Sequence, residues 1–112
     1  MKLENLGEII AERKFKLLHD GHERETMVVL LGKPQYMHDH TDFYGCPYQI
    51  KRSDSEKLMT ICGVDAFQAL QLAINAIGVE LEVIRRDSGG QLIWDGDEKG
   101  DLGFPTPDWK KE

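Results

Sequence analysis

GVDAFQALQLAINAIGVELEVIRR, residues 63–86, is the stretch that decides the fold, because it carries the signals of one long amphipathic helix. Asp65 can accept a hydrogen bond at the helix N-terminus, and Gln68 stands three residues later, as in a capping box. Apolar residues then recur at steps of three and four, which places them on one helical face. They are Phe67, Leu70, Ala73, Ile74, Ile77, Leu81 and Ile84. The pattern predicts that this face packs against a sheet.

The other side of the helix is polar, and we expect its side chains to face solvent. They are Gln71, Asn75, Glu82 and Arg86. Gly78 lies within the helical pattern, where glycine costs about 1 kcal/mol relative to alanine. We therefore expect Gly78 to pack closely against a strand, with a helix end near Gly78 as the alternative.

Four segments before the helix have strand patterns, and a fifth follows it. Residues 9–18 alternate between apolar and charged side chains, which is typical of a strand with one solvated face, and only Arg13 interrupts the apolar side. The other predicted strands are residues 25–32, 43–52, 56–62 and 91–94. We expect residues 33–42 to form an irregular connection, because Pro34 cannot donate to a ladder and no period follows it.

These elements predict a single α+β domain over residues 1–112. Its expected architecture is a two-layer sandwich, in which one long helix packs on one face of an antiparallel sheet of four to five strands. Residues 87–112 are rich in glycine and aspartate, and we expect an irregular C-terminal segment there, anchored by Phe104 and Trp109.

A register follows if the turn between the third and fourth predicted strands centres on Asp54. The opposed pairs are then Arg52 with Glu56, Ile50 with Leu58, Tyr48 with Thr60, and Cys46 with Cys62. Directly opposed cysteines would make a strained disulfide, so we expect both thiols to be buried and reduced.

Charge and composition exclude some classes of function. The chain has 20 acidic and 14 basic residues and a formal net charge of -6, so we expect no nucleic-acid partner. The sequence lacks an apolar run of about 20 residues and the pattern of a signal peptide, so we expect a cytoplasmic protein without a membrane segment.

Three motifs together resemble a family of small bacterial domains of unknown function. They are CPYQI at residues 46–50, GVDAFQALQLAINAIG at residues 63–78 and GDLGFP at residues 100–105. The resemblance covers the middle and C-terminal two-thirds of the chain. Because the family has no assigned activity, the resemblance implies no catalytic residue here.

MHDHTDFYGC, residues 37–46, offers a candidate metal site. On an extended strand His38 and His40 would point to the same side, and Asp42 could join them on zinc. Cys46, His19 and His22 are further candidate ligands. The alternative is a solvated loop with no cofactor.

The sequence favours binding over catalysis, because it contains no catalytic signature. Our first hypothesis is a module that acts through a protein partner or as a homodimer, with an antitoxin-like or immunity-like role as one form of it. The alternative hypothesis is a metal-binding enzyme or sensor that uses His38, His40 and Asp42.

Overall fold

The computed structural model describes residues 3–39, 41–95 and 101–105, and this part of the chain contains six strands and one helix. Their bounds are β1 Ile9–His19, β2 His22–Gly32, β3 Gln35–Asp39, β4 Thr41–Lys51, β5 Leu58–Gly63, α1 Ala66–Ser88 and β6 Gln91–Ile93. The strands form one antiparallel sheet, and α1 packs on one of its faces. The predicted α+β fold is confirmed, with one strand more than the sequence suggested.

Strand β4 is central to the sheet, because it pairs with three strands, two of which follow one another along the same edge. Gly45 pairs with Gln35 of β3 and also with Cys62 of β5, and Tyr48 pairs with both β2 and β5. Since a strand has only two edges, β5 lies on one edge of β4 while β2 and β3 succeed each other along the other. β1 then pairs with β2, and β6 with β1.

The expectation of an irregular connection over residues 33–42 was wrong. Only Lys33 and Pro34 separate β2 from β3, which begins at Gln35. Pro34 fits this break because it has no N–H to donate. Side chains alternate along β3, since Met37 is buried while Tyr36 and His38 on either side of it are exposed.

The core lies between the sheet and α1. It combines alternate side chains of the central strands with one stripe of the helix. Its most deeply buried members are Phe15, Met27, Cys46, Ala69, Ala73, Ile77, Leu81 and Leu92. The helical members recur at steps of four, so the stripe is narrow and its first two residues are small.

The helix has the predicted N-cap, but its buried face is rotated from the predicted one. Asp65 is the N-cap, and its carboxylate accepts a hydrogen bond from the N–H of Gln68 at 2.8 Å. Gly89 ends the helix in the left-handed conformation that glycine favours, so the alternative of an end near Gly78 was wrong. Phe67, expected in the core, is 76% exposed, because Ala69 occupies the buried position in the first turns.

Two further expectations about α1 need correction. Glu82 was expected in solvent, but it is buried and forms an ion pair with Arg85, one turn later. Gly78 does pack closely, although its neighbour is not a strand. A Cβ atom at Gly78 would lie 2.9 Å from the carbonyl oxygen of Pro105 and 3.1 Å from Cβ of Phe104. The segment 101–105 therefore packs against the middle of the helix.

Strand β5 is shifted by one residue from the predicted register, so all four predicted pairs were wrong. Cys46 pairs with Ile61, and Cys62 pairs with Gly45. The turn closes where the N–H of Arg52 donates to the carbonyl oxygen of Ser55 at 2.8 Å, which centres it half a residue earlier than Asp54. A slip of one residue moves a side chain to the other face of the sheet. Cys46 is therefore buried in the core, whereas Cys62 is exposed.

We expect the two thiols to react very differently. Burial raises the pKa of the Cys46 thiol to about 11, and this thiol donates to the carbonyl oxygen of Gly32 at 3.5 Å. Because the thiolate is the reactive form, a thiol reagent should titrate Cys62 alone in the native protein and both thiols after unfolding. Cys62→Ser should leave no thiol reactive in the native state, while the matched Cys46→Ser should leave one. Two thiols reacting at similar rates in the native protein would contradict the register.

Residues 3–8 lead to the sheet face opposite α1. The N–H of Leu3 donates to Oγ1 of Thr60 at 3.1 Å, which places the start of the described chain over β5. Leu30 and Met37 are buried although they lie outside the core cluster beneath α1. The N-terminal segment therefore covers part of the apolar sheet surface that α1 leaves uncovered.

One ion pair joins β2 to the turn after β4. Arg52 donates from Nη2 to Oε1 of Glu25 at 2.9 Å and from Nε to Oε2 at 3.1 Å, and the N–H of Ser53 donates to Oε2 at 3.0 Å. The Glu25 side chain is only 10% exposed and that of Arg52 is 29% exposed. The hydrogen bond from Arg52 is the main reason why the pKa of Glu25 lies below its ordinary value.

Glu25→Gln should lower the free energy of unfolding at pH 7 by about 1–2 kcal/mol, because it removes the charged hydrogen-bond acceptor of Arg52. Since the pKa of Glu25 is depressed in the folded state, its contribution is complete above the unfolded pKa, near 4.5, and is lost as pH falls through the folded value. Urea unfolding from pH 7 down to pH 3 should therefore show the difference between variant and wild type shrinking below pH 4.5. Glu23→Gln, at the exposed pair with Lys16, is the control. An equal loss in both variants would contradict a special role for Glu25.

Helix α1 is long and apolar enough, by length and composition alone, to cross a membrane. The core helix of a soluble protein can have the same length and composition. In this structure, residues on one stripe of α1 are buried against the sheet.

Candidate functional site

The histidine-rich stretch forms a β-hairpin. Met37 pairs with Phe43, His38 with Asp42 and Asp39 with Thr41, so β3 turns directly into β4. His40, the residue between the two strands, lies outside the described residues. Because paired residues share a face and alternate residues point to the same side, Tyr36, His38 and Asp42 lie together on one side of the hairpin.

The carboxylate of Asp42 forms hydrogen bonds with two other side chains of this hairpin. The hydroxyl of Tyr36 donates to Oδ1 of Asp42 at 2.6 Å, and Nδ1 of His38 lies 2.8 Å from the same oxygen. The ring of Tyr36 also packs edge-to-face on Tyr44, with 5.7 Å between the ring centroids. The cluster is therefore ordered by its own contacts, although it is exposed.

The cluster keeps a negative charge on the surface. The hydrogen bond from Tyr36, and then that from His38, holds the pKa of Asp42 below its ordinary value, while the same bond to Asp42 raises the pKa of Tyr36. At neutral pH Asp42 is therefore a carboxylate and can only accept. His38 must then carry a proton on Nδ1, which leaves its Nε2 directed away from Asp42.

The predicted metal ligands are brought together only in part. His38 and Asp42 are neighbours, but they are hydrogen-bonded to each other. Cys46 is protonated in the core, and His19 and His22 form the tip of the β1–β2 hairpin, at the far end of β2 from β3. Within residues 3–39, 41–95 and 101–105, no group of three His, Cys, Asp or Glu side chains is placed to hold an ion. The metal site stays a prediction that depends on His40.

Large apolar side chains are exposed near the same end of the sheet. Gly63 pairs with Tyr44, which pairs with Tyr36, so the chain that leaves β5 enters α1 beside the β3–β4 hairpin. Val64 and Phe67, at this entry, are each 76% exposed, and Tyr36 is 59% exposed. We refer to Tyr36, His38, Asp42, Val64 and Phe67 as the hairpin surface. Its apolar part was not predicted, because Phe67 fits the helical period of the core.

The outer edge of β3 is open in the part of the chain that the structure describes. β3 pairs with β4 and with no other described strand. Its unpaired backbone groups can accept an added strand from another chain. The hairpin surface thus combines an open strand edge, exposed aromatic rings and an acidic side chain.

Comparison with known proteins gives a family and no activity. Neither a curated protein nor a solved structure was found to match the chain. A family model described as a domain of unknown function, DUF6968, matches residues 11–106. The match runs from β1 through the segment 101–105 that packs on α1, so it includes the helix and all of the sheet except the first two residues of β1. The chain therefore belongs to the DUF6968 family, a family of domains of unknown function.

Proposed function

We propose that this protein is a non-catalytic binding module that engages a protein partner through the hairpin surface. The observation that carries the proposal is the exposure of Val64, Phe67 and Tyr36 at the end of the sheet where the unpaired edge of β3 lies. Exposed apolar side chains that cluster beside polar ones are typical of interaction sites, and aromatic residues contribute most of the binding energy at such sites.

The partner that fits this surface is a basic protein with an extended segment. The chain carries a formal net charge of -6. Asp42 belongs to the hairpin surface, and Asp39 lies beside it. Complementary charge speeds association and disfavours partners of like charge. A basic segment could add to the edge of β3 while its apolar side chains contact Tyr36 and Phe67. An antitoxin-like or immunity-like role, in which an acidic protein blocks a basic one, is one form of this function.

A second copy of the chain is the alternative partner. A second copy carries the same formal net charge of -6, so two copies repel one another where a basic partner would be attracted. The N-terminal segment, residues 3–8, also covers part of the sheet face opposite α1. Both observations favour a different, basic protein over a homodimer.

The test compares two double variants of the purified protein as baits. Tyr36→Ser with Phe67→Ser removes the aromatic rings of the hairpin surface, while Leu72→Ser with Val79→Ser removes two exposed apolar side chains from the outer face of α1. A partner of the hairpin surface should be basic, should be released by salt, and should bind the first variant at least tenfold more weakly than the second. Circular dichroism checks that both are folded. Equal binding to both variants would contradict the proposal.

A metal-binding role is the second candidate, and the contact between His38 and Asp42 favours it. Metal-binding histidines commonly donate their other ring N–H to a carboxylate, which fixes the ring and directs the free nitrogen at the metal. In that arrangement Asp42 would orient His38, and Nε2 of His38 would be the ligand together with His40. Native mass spectrometry should then find one zinc per chain that is lost when His38 and His40 both become alanine. Unchanged zinc content in the double variant would exclude them as ligands.

A further inference from the structure

A cavity of about 220 Å³ opens between the sheet and α1, away from the hairpin surface. Its walls come from β1, β2, the middle of α1 and the segment 101–105. The lining residues include Ala11, Arg13, Leu31, Ile77, Gly103 and Phe104. Leu31 and Ile77 are core residues, so the interior is apolar, while Ala11 is exposed and marks an opening to solvent.

Two charged residues line this cavity: Glu12, on the face of β1 opposite the core, and Arg13, on the core side. Its guanidinium carbon lies 3.9 Å from the centroid of the Trp94 ring and 5.3 Å from that of Phe104. Its Nη1 donates to the carbonyl oxygen of Leu102 at 3.1 Å. The segment 101–105 and two aromatic rings thus hold the guanidinium in place.

The charge of Arg13 is nevertheless not neutralised by the residues that the structure describes. None of their carboxylates forms an ion pair with Arg13, and its Nε and Nη2 have no hydrogen-bond acceptor among them. A guanidinium fixed by rings and carbonyl groups is already arranged to bind a carboxylate through its remaining N–H groups. Arg13 interrupts the apolar face of the predicted strand, and its position there is explained by its contacts with Leu102, Trp94 and Phe104.

We propose that this cavity binds a small monocarboxylate with an apolar body. The carboxylate would accept hydrogen bonds from Arg13, and the apolar body would enter the space lined by Leu31, Ile77 and Phe104. An apolar cavity of about 150 Å³ is enough to take up benzene, so this cavity accommodates a chain of about six to eight carbons or a single ring. The inference is independent of the proposed function, since its residues do not belong to the hairpin surface.

Octanoate and the neutral octanol are the probes, with binding followed by NMR chemical shifts and by calorimetry. Octanoate should bind the wild type at least tenfold more tightly than octanol, because only octanoate can pair with Arg13. Its largest shifts should fall on Leu31, Ile77 and Phe104. No saturable binding of octanoate, equal binding of the two probes, or shifts confined to other residues would each overturn the proposal.

Two kinds of variant test the charge of Arg13 and the volume of the cavity separately. Arg13→Gln should weaken octanoate binding at least tenfold while changing octanol binding less than threefold, whereas Lys14→Gln, on the solvated face of the same strand, should change neither. Ala11→Phe should fill the opening and weaken the binding of both probes, and it keeps the test decisive if Arg13→Gln fails to fold. Undiminished octanoate binding in the Ala11→Phe protein would place the ligand elsewhere.

Discussion

Phe15→Ala is expected to lower the free energy of unfolding by about 3–5 kcal/mol. Phe15 is fully buried in the centre of β1, where it pairs with Met27 and packs beneath α1. Removing its ring leaves a cavity that neighbouring side chains fill only in part. Because a domain of this kind has a total stability of about 5–15 kcal/mol, the variant should lie close to the limit of folding.

Urea unfolding followed by circular dichroism measures this effect, with Lys14→Ala as the matched control. Lys14 is next to Phe15 but exposed on the opposite face of the strand, so its loss should change the stability by no more than about 0.5 kcal/mol. Similar stabilities for the two variants would show that residues 14 and 15 do not alternate between solvent and core.

Gly63→Ala is expected to cost about 3 kcal/mol, although most Gly→Ala changes at permitted backbone angles stabilise a protein slightly. An added Cβ at Gly63 would overlap the backbone N of Ala69 and lie 2.9 Å from its Cα. These are backbone atoms of the helix and cannot move without shifting α1. The absence of a side chain at residue 63 is therefore what lets α1 start directly against β5.

The control for this substitution is Gly45→Ala, on the strand that pairs with β5. There the nearest atom to an added Cβ is Sδ of Met37, the far end of a flexible side chain, which can move aside. We expect a change of no more than about 1 kcal/mol in this control by thermal or urea unfolding. A Gly63→Ala protein as stable as the Gly45→Ala protein would contradict the close packing of α1 on β5.

Local signals were sufficient for most elements of the fold, although β3 was missed, and insufficient for their mutual placement. The N-cap at Asp65, the long helix and the strand over residues 9–18 each depend on neighbours in sequence, and these three predictions were confirmed. The register between β4 and β5 depends on where the turn closes. A turn centred half a residue earlier satisfies the same apolar pattern but exchanges the faces of β5, which is why Cys46 and Cys62 were wrongly paired.

Only the polar residues of the candidate site were predicted from the sequence. His38 and Asp42 attracted attention through their chemistry, and the structure does bring them together. Phe67 was missed because a helical period cannot tell which edge of an apolar stripe contacts the sheet. That choice depends on the small residues Ala69 and Gly63, which set how closely the helix approaches β5. Pro34 led to the wrong prediction of an irregular connection. A proline between two successive strands gives the same local signal as a proline at the end of a strand.

Photo-crosslinking from residue 36 tests the proposed function most directly. A photoreactive phenylalanine analogue replaces Tyr36 in one protein and Lys14, exposed on β1 away from the hairpin surface, in the control, and both are irradiated in cells that produce the chain. We expect a covalent adduct with a basic protein from residue 36 that is absent from residue 14. The same adducts from both positions, or adducts of residue 36 with copies of the chain alone, would contradict binding of a basic partner through the hairpin surface.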